Sequence, residues 1–224
     1  MAKSSPKLMS FQIAAAIYND PLIKKIIHTG DFYRQSIIAL HGWTGDEGSM
    51  EPITKAIRVP NTRWILPQAP YPLEQKGFSW FSGSGESGWK FQKSFNLLDK
   101  IIEREREQGT GTERIFLLGF SQGATLAMIY TASRKFSLGG IISIAGFIRN
   151  VGKFRKKATK ANNKTPILLI HGTKDQIIPV EESYKTHDLY QNLGFPSELH
   201  VFNTEHKIPL KATNLIRNFI LNRL

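Results

Sequence analysis

Short apolar runs alternate with amphipathic stretches along most of the chain. The runs are rich in Ile and Leu and have few polar interruptions, which is typical of strands covered on both faces of a parallel sheet. We predict strands at Lys24–His28, Arg34–Leu40, Arg63–Leu66, Ile115–Leu118, Gly140–Ile144, Pro166–Ile170 and Ser197–Phe202.

Apolar residues that recur every three or four positions predict helices between these strands. In the clearest helix Phe95, Leu98 and Ile102 form one stripe, and Gly109 ends it. The aromatic and glycine-rich segment Phe78–Gly85 is interpreted as a loop. The predicted helices are Ser49–Ile57, Gln92–Gln108, one that follows residues 119–123 without a gap, Val180–Leu193 and Leu210–Leu221.

Strand and helix alternate from Arg34 onward, which predicts an α/β fold: a mostly parallel, twisted sheet with helices on both faces. With 224 residues, 41% of them apolar, the chain has the size and composition of one such domain. We expect a single domain over residues 1–224, in which residues 1–22 are a candidate for a loosely attached N-terminal extension. No run approaches the roughly 20 apolar residues that are needed to cross a membrane.

The N-terminal segment and the cysteine count bear on the compartment. Lys3 and Lys7 precede the apolar segment Leu8–Tyr18, which faintly resembles a signal peptide. Ser10 and Gln12 interrupt that segment, so we do not expect export. The chain has no cysteine, which excludes disulfides and thiolate metal sites and suits a reducing compartment without requiring one. We expect a cytoplasmic location.

The formal net charge of +12 is unevenly distributed. Residues 149–164 hold seven cations and no acid, and we interpret them as a solvated surface loop that could also contact an anionic membrane. Phe154 is the one aromatic residue in this run, whereas nucleic-acid platforms interleave several, so we expect no nucleic-acid partner. The cations are Arg149, Lys153, Arg155, Lys156, Lys157, Lys160 and Lys164.

The sequence Gly119-Phe120-Ser121-Gln122-Gly123 lies between an apolar strand and a helix. Gly-x-Ser-x-Gly in that setting is the signature of a nucleophile elbow, a sharp turn that lifts a serine hydroxyl off the end of a sheet. We expect Ser121 to adopt a sparsely populated backbone conformation. We also expect that a side chain at Gly119 or Gly123 would collide as strand and helix close together.

Three other polar segments follow predicted strand ends, after Leu40, Ile170 and Phe202. In open α/β sheets the ligand site lies at the carboxyl ends of the strands, so these segments should lie near Ser121. A serine nucleophile needs a base, and a histidine base needs an acid to orient it. We predict His206 as the base and Asp175 as the acid, which gives the order Ser121, Asp175, His206 that is expected of an α/β-hydrolase.

The other histidines and the nearby acids are less suitable. His41 and His171 each precede a glycine at the end of an apolar strand, where a structural role is more common. His28, His187 and His200 lie within predicted strands or a helix. Asp46 is expected to make a structural hydrogen bond, and Glu205 to be a surface charge. No metal site or cofactor is implied, because the histidines lack ligand spacing.

The oxyanion that forms during acyl transfer needs preorganised N–H donors. One should be the backbone amide of Gln122, at the positive end of the helix that follows Ser121. The other should come from the loop His41–Trp43, most plausibly from the amide of Trp43.

Several segments together resemble the carboxylesterase/phospholipase family of α/β-hydrolases, which includes the acyl-protein thioesterases. The resemblance implies ester or thioester hydrolysis by Ser121, Asp175 and His206, with no cofactor. It also implies that Trp80 lines an acyl pocket, beside Phe81; the alternative for Trp80 is a loop anchor that packs on the core. The matching segments are Leu40–Trp43, Pro67–Pro70, Ser79–Phe81, Gly119–Gly123, His171–Pro179 and His206–Ile208.

The chain departs from the family pattern at three places near these segments. Thr44 stands where the family often has glycine, Asn203–Glu205 replaces a glycine-containing turn, and Ser82 stands where an acid is common. These departures leave the catalytic residues in place but weaken a thioesterase assignment.

We therefore predict a serine hydrolase that cleaves small carboxylic esters, including lipid or acylated substrates, through an acyl-enzyme. The nearest alternative is a lysophospholipase or an acyl-protein thioesterase, whose basic segment 149–164 would contact a membrane. An alternative of another class is a non-catalytic binding protein with a hydrolase fold. The sequence leaves a monomer and a homodimer equally open.

Overall fold

The computed structural model describes residues 7–9, 19–158 and 161–224. Most of the predicted N-terminal extension, including most of the segment that resembles a signal peptide, lies outside these ranges. Among the described residues, no helix combines the length and the hydrophobicity that a membrane crossing requires.

Each predicted strand is present, and its observed ends lie within two residues of the predicted ends. Six of them, from β3 and β4 through β9 to β12, run parallel, and β2 runs antiparallel to β4. The sheet that contains them has the order β1-β2-β4-β3-β9-β10-β11-β12. In chain order the strands are β1 Lys7–Met9, β2 Ile23–Thr29, β3 Gln35–Leu40, β4 Thr62–Pro67, β5 Tyr71–Pro72, β6 Phe78–Ser79, β7 Ser82–Ser84, β8 Gly88–Lys90, β9 Ile115–Phe120, β10 Gly140–Ile144, β11 Ile167–Gly172 and β12 Ser197–Phe202.

Helices cover both faces of this sheet, as predicted. Two of them, α1 and α6, each follow a turn of 3₁₀-helix, at Glu47–Met50 and Leu210–Ala212. The α-helices of the described residues are α1 Glu51–Ile57, α2 Gln92–Glu107, α3 Gln122–Ala132, α4 Val151–Lys157, α5 Glu181–Asn192 and α6 Thr213–Leu221.

The apolar strands divide their side chains between two hydrophobic layers, because successive residues of a strand point to opposite faces. In β3, Ile38 and Leu40 join the layer that contains residues of α2, α3 and α5, whereas Ile37 and Ala39 join the layer that contains residues of α1 and α6. Both layers are buried, which explains why these strands read as continuous apolar runs.

The prediction of a loop over residues 149–164 is wrong in part, because Val151–Lys157 forms α4. Asn150 caps this helix by accepting a hydrogen bond from the backbone N–H of Lys153 at 2.9 Å. Phe154 is 3% exposed and anchors the helix, while its cations remain exposed. With a single buried side chain the helix lacks the repeated apolar stripe by which a sequence reveals it.

The loop predicted over Phe78–Gly85 is also wrong in part. Strand β6 pairs with β5, and β7 pairs with β8, in two short antiparallel hairpins. Gly83 lies within β7 with a φ of +95°, a conformation that glycine adopts without strain. These hairpins lie between β4 and α2 in the chain. The first hairpin lies against the elbow, where Ser79 is hydrogen-bonded to Gln122.

Candidate active site

Ser121 stands between the end of β9 and the start of α3, in the elbow that the sequence predicts. Its φ of +52° and ψ of −111° lie outside the common backbone regions, at a cost of about 1–3 kcal/mol. Its backbone N–H donates to the carbonyl oxygen of Ile144 at 2.7 Å, which ties the turn to the end of β10. The serine therefore lies at the carboxyl edge of the parallel strands.

The two glycines of the elbow allow strand, helix and neighbouring loop to approach closely. A Cβ atom on Gly119 would lie 2.4 Å from the amide nitrogen of Ala124, and one on Gly123 would lie 2.4 Å from the carbonyl oxygen of Leu40. The predicted steric reason for both glycines is confirmed. The second contact also shows that the start of α3 packs directly on the end of β3.

The three predicted catalytic side chains form one hydrogen-bonded chain. The Oγ of Ser121 lies 3.0 Å from Nε2 of His206, and Nδ1 of His206 lies 2.6 Å from Oδ2 of Asp175. The Asp175 side chain is 1% exposed and the His206 side chain is 18% exposed. Segments that are separated by 54 and 31 residues in the sequence thus meet at one edge of the sheet.

Asp175 is held as a carboxylate by its surroundings. Burial alone would raise its pKa, but the backbone N–H groups of Ile178 and Ile177 donate to Oδ1 at 2.8 and 2.9 Å, and His206 bonds to Oδ2. Together these hydrogen bonds bring the pKa of Asp175 below its usual value. An ionised Asp175 accepts the Nδ1–H of His206, so Nε2 is left as the acceptor for the Ser121 hydroxyl proton.

His41 and His171 are structural, as the sequence predicts, and both are fully buried. His171 lies behind Asp175, with its Nδ1 2.5 Å from Oγ of Ser183 and its Nε2 2.9 Å from the carbonyl oxygen of Ile178. It thus supports the turn whose amides bind Asp175.

Two other acids that the sequence places near the site are Asp46 and Glu205. Asp46 accepts a hydrogen bond from the backbone N–H of Ser49 at 3.0 Å and caps the 3₁₀ turn before α1, which is the structural role expected of it. The Glu205 side chain is 76% exposed, which is consistent with a surface charge. The described residues contain no group of three or more His, Asp or Glu side chains arranged to hold a metal ion.

Trp80 requires a correction, because its side chain is fully buried and presents no surface to a substrate. Its indole Nε1–H donates to the carbonyl oxygen of His41 at 2.8 Å, and its ring lies 4.9 Å from the ring of His41. It is the loop anchor that the sequence left as the alternative. Phe81 remains partly buried and packs edge-on against Phe91, with ring centroids 5.8 Å apart.

The contact between Phe120 and His206 was not predicted from the sequence. The rings of Phe120 and His206 lie 4.9 Å apart at an interplanar angle of 42°. The ring of Phe120 thus packs against the imidazole and restricts its orientation. Phe120 directly precedes Ser121 in the sequence, but no sequence pattern indicates that it contacts a residue 86 positions later.

Three large apolar side chains on segments that follow parallel strands are exposed. Trp43 is 62% exposed, Ile177 is 68% exposed and Leu210 is 74% exposed, and each comes after the carboxyl end of a parallel strand in the chain, as Ser121, Asp175 and His206 do.

Residues 22–223 match the family model described as Phospholipase/Carboxylesterase, which covers nearly the whole described domain. The chain belongs to the phospholipase/carboxylesterase family. This family assignment confirms the resemblance that the sequence motifs indicate.

Individual family members support the same assignment. Acyl-protein thioesterase 1 of Saccharomyces cerevisiae is 32% identical over 180 residues, which cover 71% of this chain and 78% of that protein. Carboxylesterase SOBER1 of Arabidopsis thaliana is 28% identical over 209 residues, which cover 85% of this chain and 91% of that protein. The crystal structure of SOBER1 superposes with a TM-score of 0.76 at 25% identity, over 85% of this chain and 99% of that one. The chain is an ester-hydrolysing serine hydrolase with an α/β-hydrolase fold.

Two departures from the family pattern have a structural explanation. Thr44 has a φ of +66°, the left-handed conformation that glycine adopts more readily, so this backbone is one that a glycine would also fit. None of the residues 203–205 has a positive φ, so this loop needs no glycine. Instead the Thr204 carbonyl oxygen accepts from the backbone N–H of Lys174 at 3.0 Å, which ties the loop of the base to the loop of the acid.

Proposed function

We propose that this family member hydrolyses carboxylic esters through an acyl-enzyme formed on Ser121. The Ser121 Oγ attacks the ester carbonyl carbon while His206 Nε2 accepts the hydroxyl proton. Asp175 stabilises the resulting imidazolium through Nδ1–H. The tetrahedral intermediate then collapses, the C–O bond to the alcohol breaks, and His206 returns the proton to the leaving alcohol.

The second half of the reaction reuses the same groups. Water attacks the acyl carbon while His206 Nε2 accepts one of its protons, and the bond to Ser121 Oγ breaks as that proton is returned to the serine. In both halves the oxyanion would be stabilised by the backbone amides of Gln122 and Trp43. The contact of Gly123 with Leu40 supports this assignment, because it brings the two amide-bearing segments together.

The observation that carries the proposal is the continuous hydrogen-bonded chain from Ser121 through His206 to Asp175. A non-catalytic binding protein has no need of a buried carboxylate aligned behind a histidine and a strained serine. We expect Ser121→Ala to abolish hydrolysis of p-nitrophenyl esters, with the thermal unfolding temperature of the variant close to that of the wild type. Retention of most of the activity would refute Ser121 as the nucleophile.

A second candidate function is the hydrolysis of long-chain thioesters or lysophospholipids. It is favoured by the exposed apolar side chains of Trp43, Ile177 and Leu210, and several relatives bear the name acyl-protein thioesterase. We expect kcat/KM to rise with acyl chain length across matched ester and thioester series if these side chains bind the acyl chain. A preference for acetyl esters would favour a small-molecule esterase instead.

We further propose that helix α4 contacts anionic membranes. Arg149 lies 5.7 Å from the ring of Trp89, which is 43% exposed, and the exposed Val151 begins the helix. The surface thus combines cations with apolar side chains, and each cation near an anionic bilayer contributes about 1 kcal/mol to binding.

Sedimentation with phosphatidylserine vesicles tests this contact. Replacement of Lys153, Arg155, Lys156 and Lys157 by Gln should release the protein from the vesicles. A control that replaces four exposed cations elsewhere, Lys55, Lys100, Arg106 and Lys185, removes the same charge and should leave most binding intact. Equal loss in both variants would show that net charge, not α4, is responsible.

We also propose a cytoplasmic location, which the absence of cysteine suits. Fractionation of cells that express the chain with a C-terminal epitope tag tests it, since recovery from the medium or from an extracytoplasmic fraction would contradict it.

A further inference from the structure

Trp80 lies between the two segments that would supply the oxyanion hole. One donor, the amide of Gln122, belongs to α3, and the other, the amide of Trp43, belongs to the loop after β3. The segment Ser79–Phe81 is hydrogen-bonded to the side chain of Gln122 in α3 and to His41 in that loop. Trp80 itself is fully buried, so its contacts are with the protein alone.

On the side of α3, the side chain of Gln122 binds the segment of Trp80. The backbone N–H of Trp80 donates to Oε1 of Gln122 at 2.7 Å, and Nε2 of Gln122 donates to Oγ of Ser79 at 3.0 Å. The Ser79 hydroxyl donates in turn to the carbonyl oxygen of Phe81 at 2.5 Å. The residue that carries the first donor amide therefore also holds the 79–81 segment in place.

On the side of β3, the indole of Trp80 binds the loop of the second donor. Its Nε1–H donates to the carbonyl oxygen of His41 at 2.8 Å, two residues before Trp43. The His41 ring is fixed as well, because its Nε2 accepts from the backbone N–H of Ala69 at 3.1 Å and its Nδ1 lies 2.7 Å from the carbonyl oxygen of Gly42. This loop is thus held through the carbonyl oxygen of His41 and through both nitrogens of the His41 ring.

We propose that Trp80 is a positioning residue that fixes the spacing between the two oxyanion donors. This inference rests on the proposed function, because it takes the amides of Gln122 and Trp43 as the donors. Oxyanion donors accelerate a reaction only if they are preorganised at the place where the charge develops. A displacement of about 1 Å can cost 10²-fold in rate, so a link that sets this distance affects catalysis without touching the substrate.

The chain contains a matched comparison for this role. Trp64 is also fully buried, but it lies in the other hydrophobic layer, and its indole Nε1–H has no hydrogen-bond partner among the described residues. Burial of a tryptophan in this protein therefore does not by itself demand an acceptor for the indole. The N–H of Trp80, by contrast, bonds to the oxyanion loop.

The test compares Trp80→Phe with Trp64→Phe, each normalised by titration of active sites with a fluorophosphonate. We expect Trp80→Phe to lower kcat about 10-fold to 100-fold with little change in KM. It should weaken inhibition by a trifluoromethyl ketone, whose adduct carries the oxyanion, by a similar factor, while inhibition by the carboxylic acid product stays constant. Trp64→Phe should change none of these constants, even if it lowers the unfolding temperature as much.

If Trp80→Phe does not fold, benzothienylalanine at position 80 removes the N–H and keeps the shape of the ring, and the same residue at position 64 is its control. Equal kcat and equal inhibition for the two positions, in an active wild type, would overturn the role of Trp80 and leave the proposed function standing. A wild type that neither turns over esters nor reacts with the fluorophosphonate would overturn the proposed function itself.

Discussion

The strained backbone of Ser121 is held by contacts on both sides of the turn. Its N–H bonds to Ile144, and the glycines on either side allow α3 to approach β9 and the end of β3. The sequence predicted both the strain and the need for the glycines, because Gly-x-Ser-x-Gly between an apolar strand and a helix is the signature of a sharp, strained turn.

Gly123→Ala should therefore damage the site more than an ordinary glycine substitution. Its Cβ would lie 2.4 Å from Leu40 O and 2.6 Å from His41 O, so the loop that carries the proposed donor Trp43 must shift. We expect a loss of about 1–3 kcal/mol in unfolding free energy and a larger loss of kcat than of substrate affinity. Gly85→Ala is the control, because a Cβ there meets nothing within 4 Å. Equal activity of the two variants would contradict the close approach.

His41 should make the stability of the protein depend on pH. Burial lowers its pKa from the ordinary value of 6.5, although the hydrogen bond to Gly42 and the charges of Asp46 and Glu47 oppose this. The folded protein therefore keeps His41 neutral where the unfolded chain binds a proton. Its contribution to stability is complete above pH 6.5 and is lost as the pH falls through the lowered pKa of the folded state.

Urea unfolding between pH 5 and 8 measures this effect. We expect the unfolding free energy of the wild type to fall below pH 6.5 more steeply than that of His41→Gln, which can keep an acceptor for Ala69. His200→Gln, at an exposed position, is the control for the replacement of a histidine elsewhere in the chain. Identical slopes for the wild type and His41→Gln would show that His41 does not contribute.

Among the secondary-structure elements, the long strands and helices were predictable and the short ones were not. Strands β9 to β11 carry nearly continuous apolar runs and helix α2 carries a repeated apolar stripe, so their positions follow from pattern. Helix α4 has one buried residue, and the paired strands of Phe78–Lys90 are two or three residues long. Such elements are defined by tertiary contacts that a local pattern does not contain.

Helix α4 should depend on Phe154 for its attachment. This side chain is 3% exposed and lies 5.4 Å from the ring of Tyr190. Phe154→Ala removes the anchor and should lower the unfolding free energy by about 3 kcal/mol, measured by urea unfolding. Val151→Ala on the same helix is the control, because Val151 is 41% exposed and should cost little. A small effect at both positions would mean that α4 is not docked through Phe154.

For the molecule as a whole, the location of the site followed from topology. Parallel strands present their carboxyl ends at one edge, so the segments that carry Ser121, Asp175 and His206 could be expected to meet there. The sequence could not decide between the two roles considered for Trp80, and it did not indicate the contact of Phe120 with His206. Both depend on which side chains face each other across the sheet edge, and an aromatic residue in a loop is equally compatible with a pocket wall and a buried anchor.

We propose Ser121 as the nucleophile of a triad with His206 and Asp175, and active-site labelling is the decisive experiment. Intact-protein mass spectrometry after treatment with a fluorophosphonate should show one adduct, located on Ser121 by peptide mapping, and none in Ser121→Ala. His206→Ala should react far more slowly, because no base then accepts the hydroxyl proton. Absence of labelling in the folded wild type, or equal labelling of Ser121→Ala, would show that Ser121 is not the nucleophile.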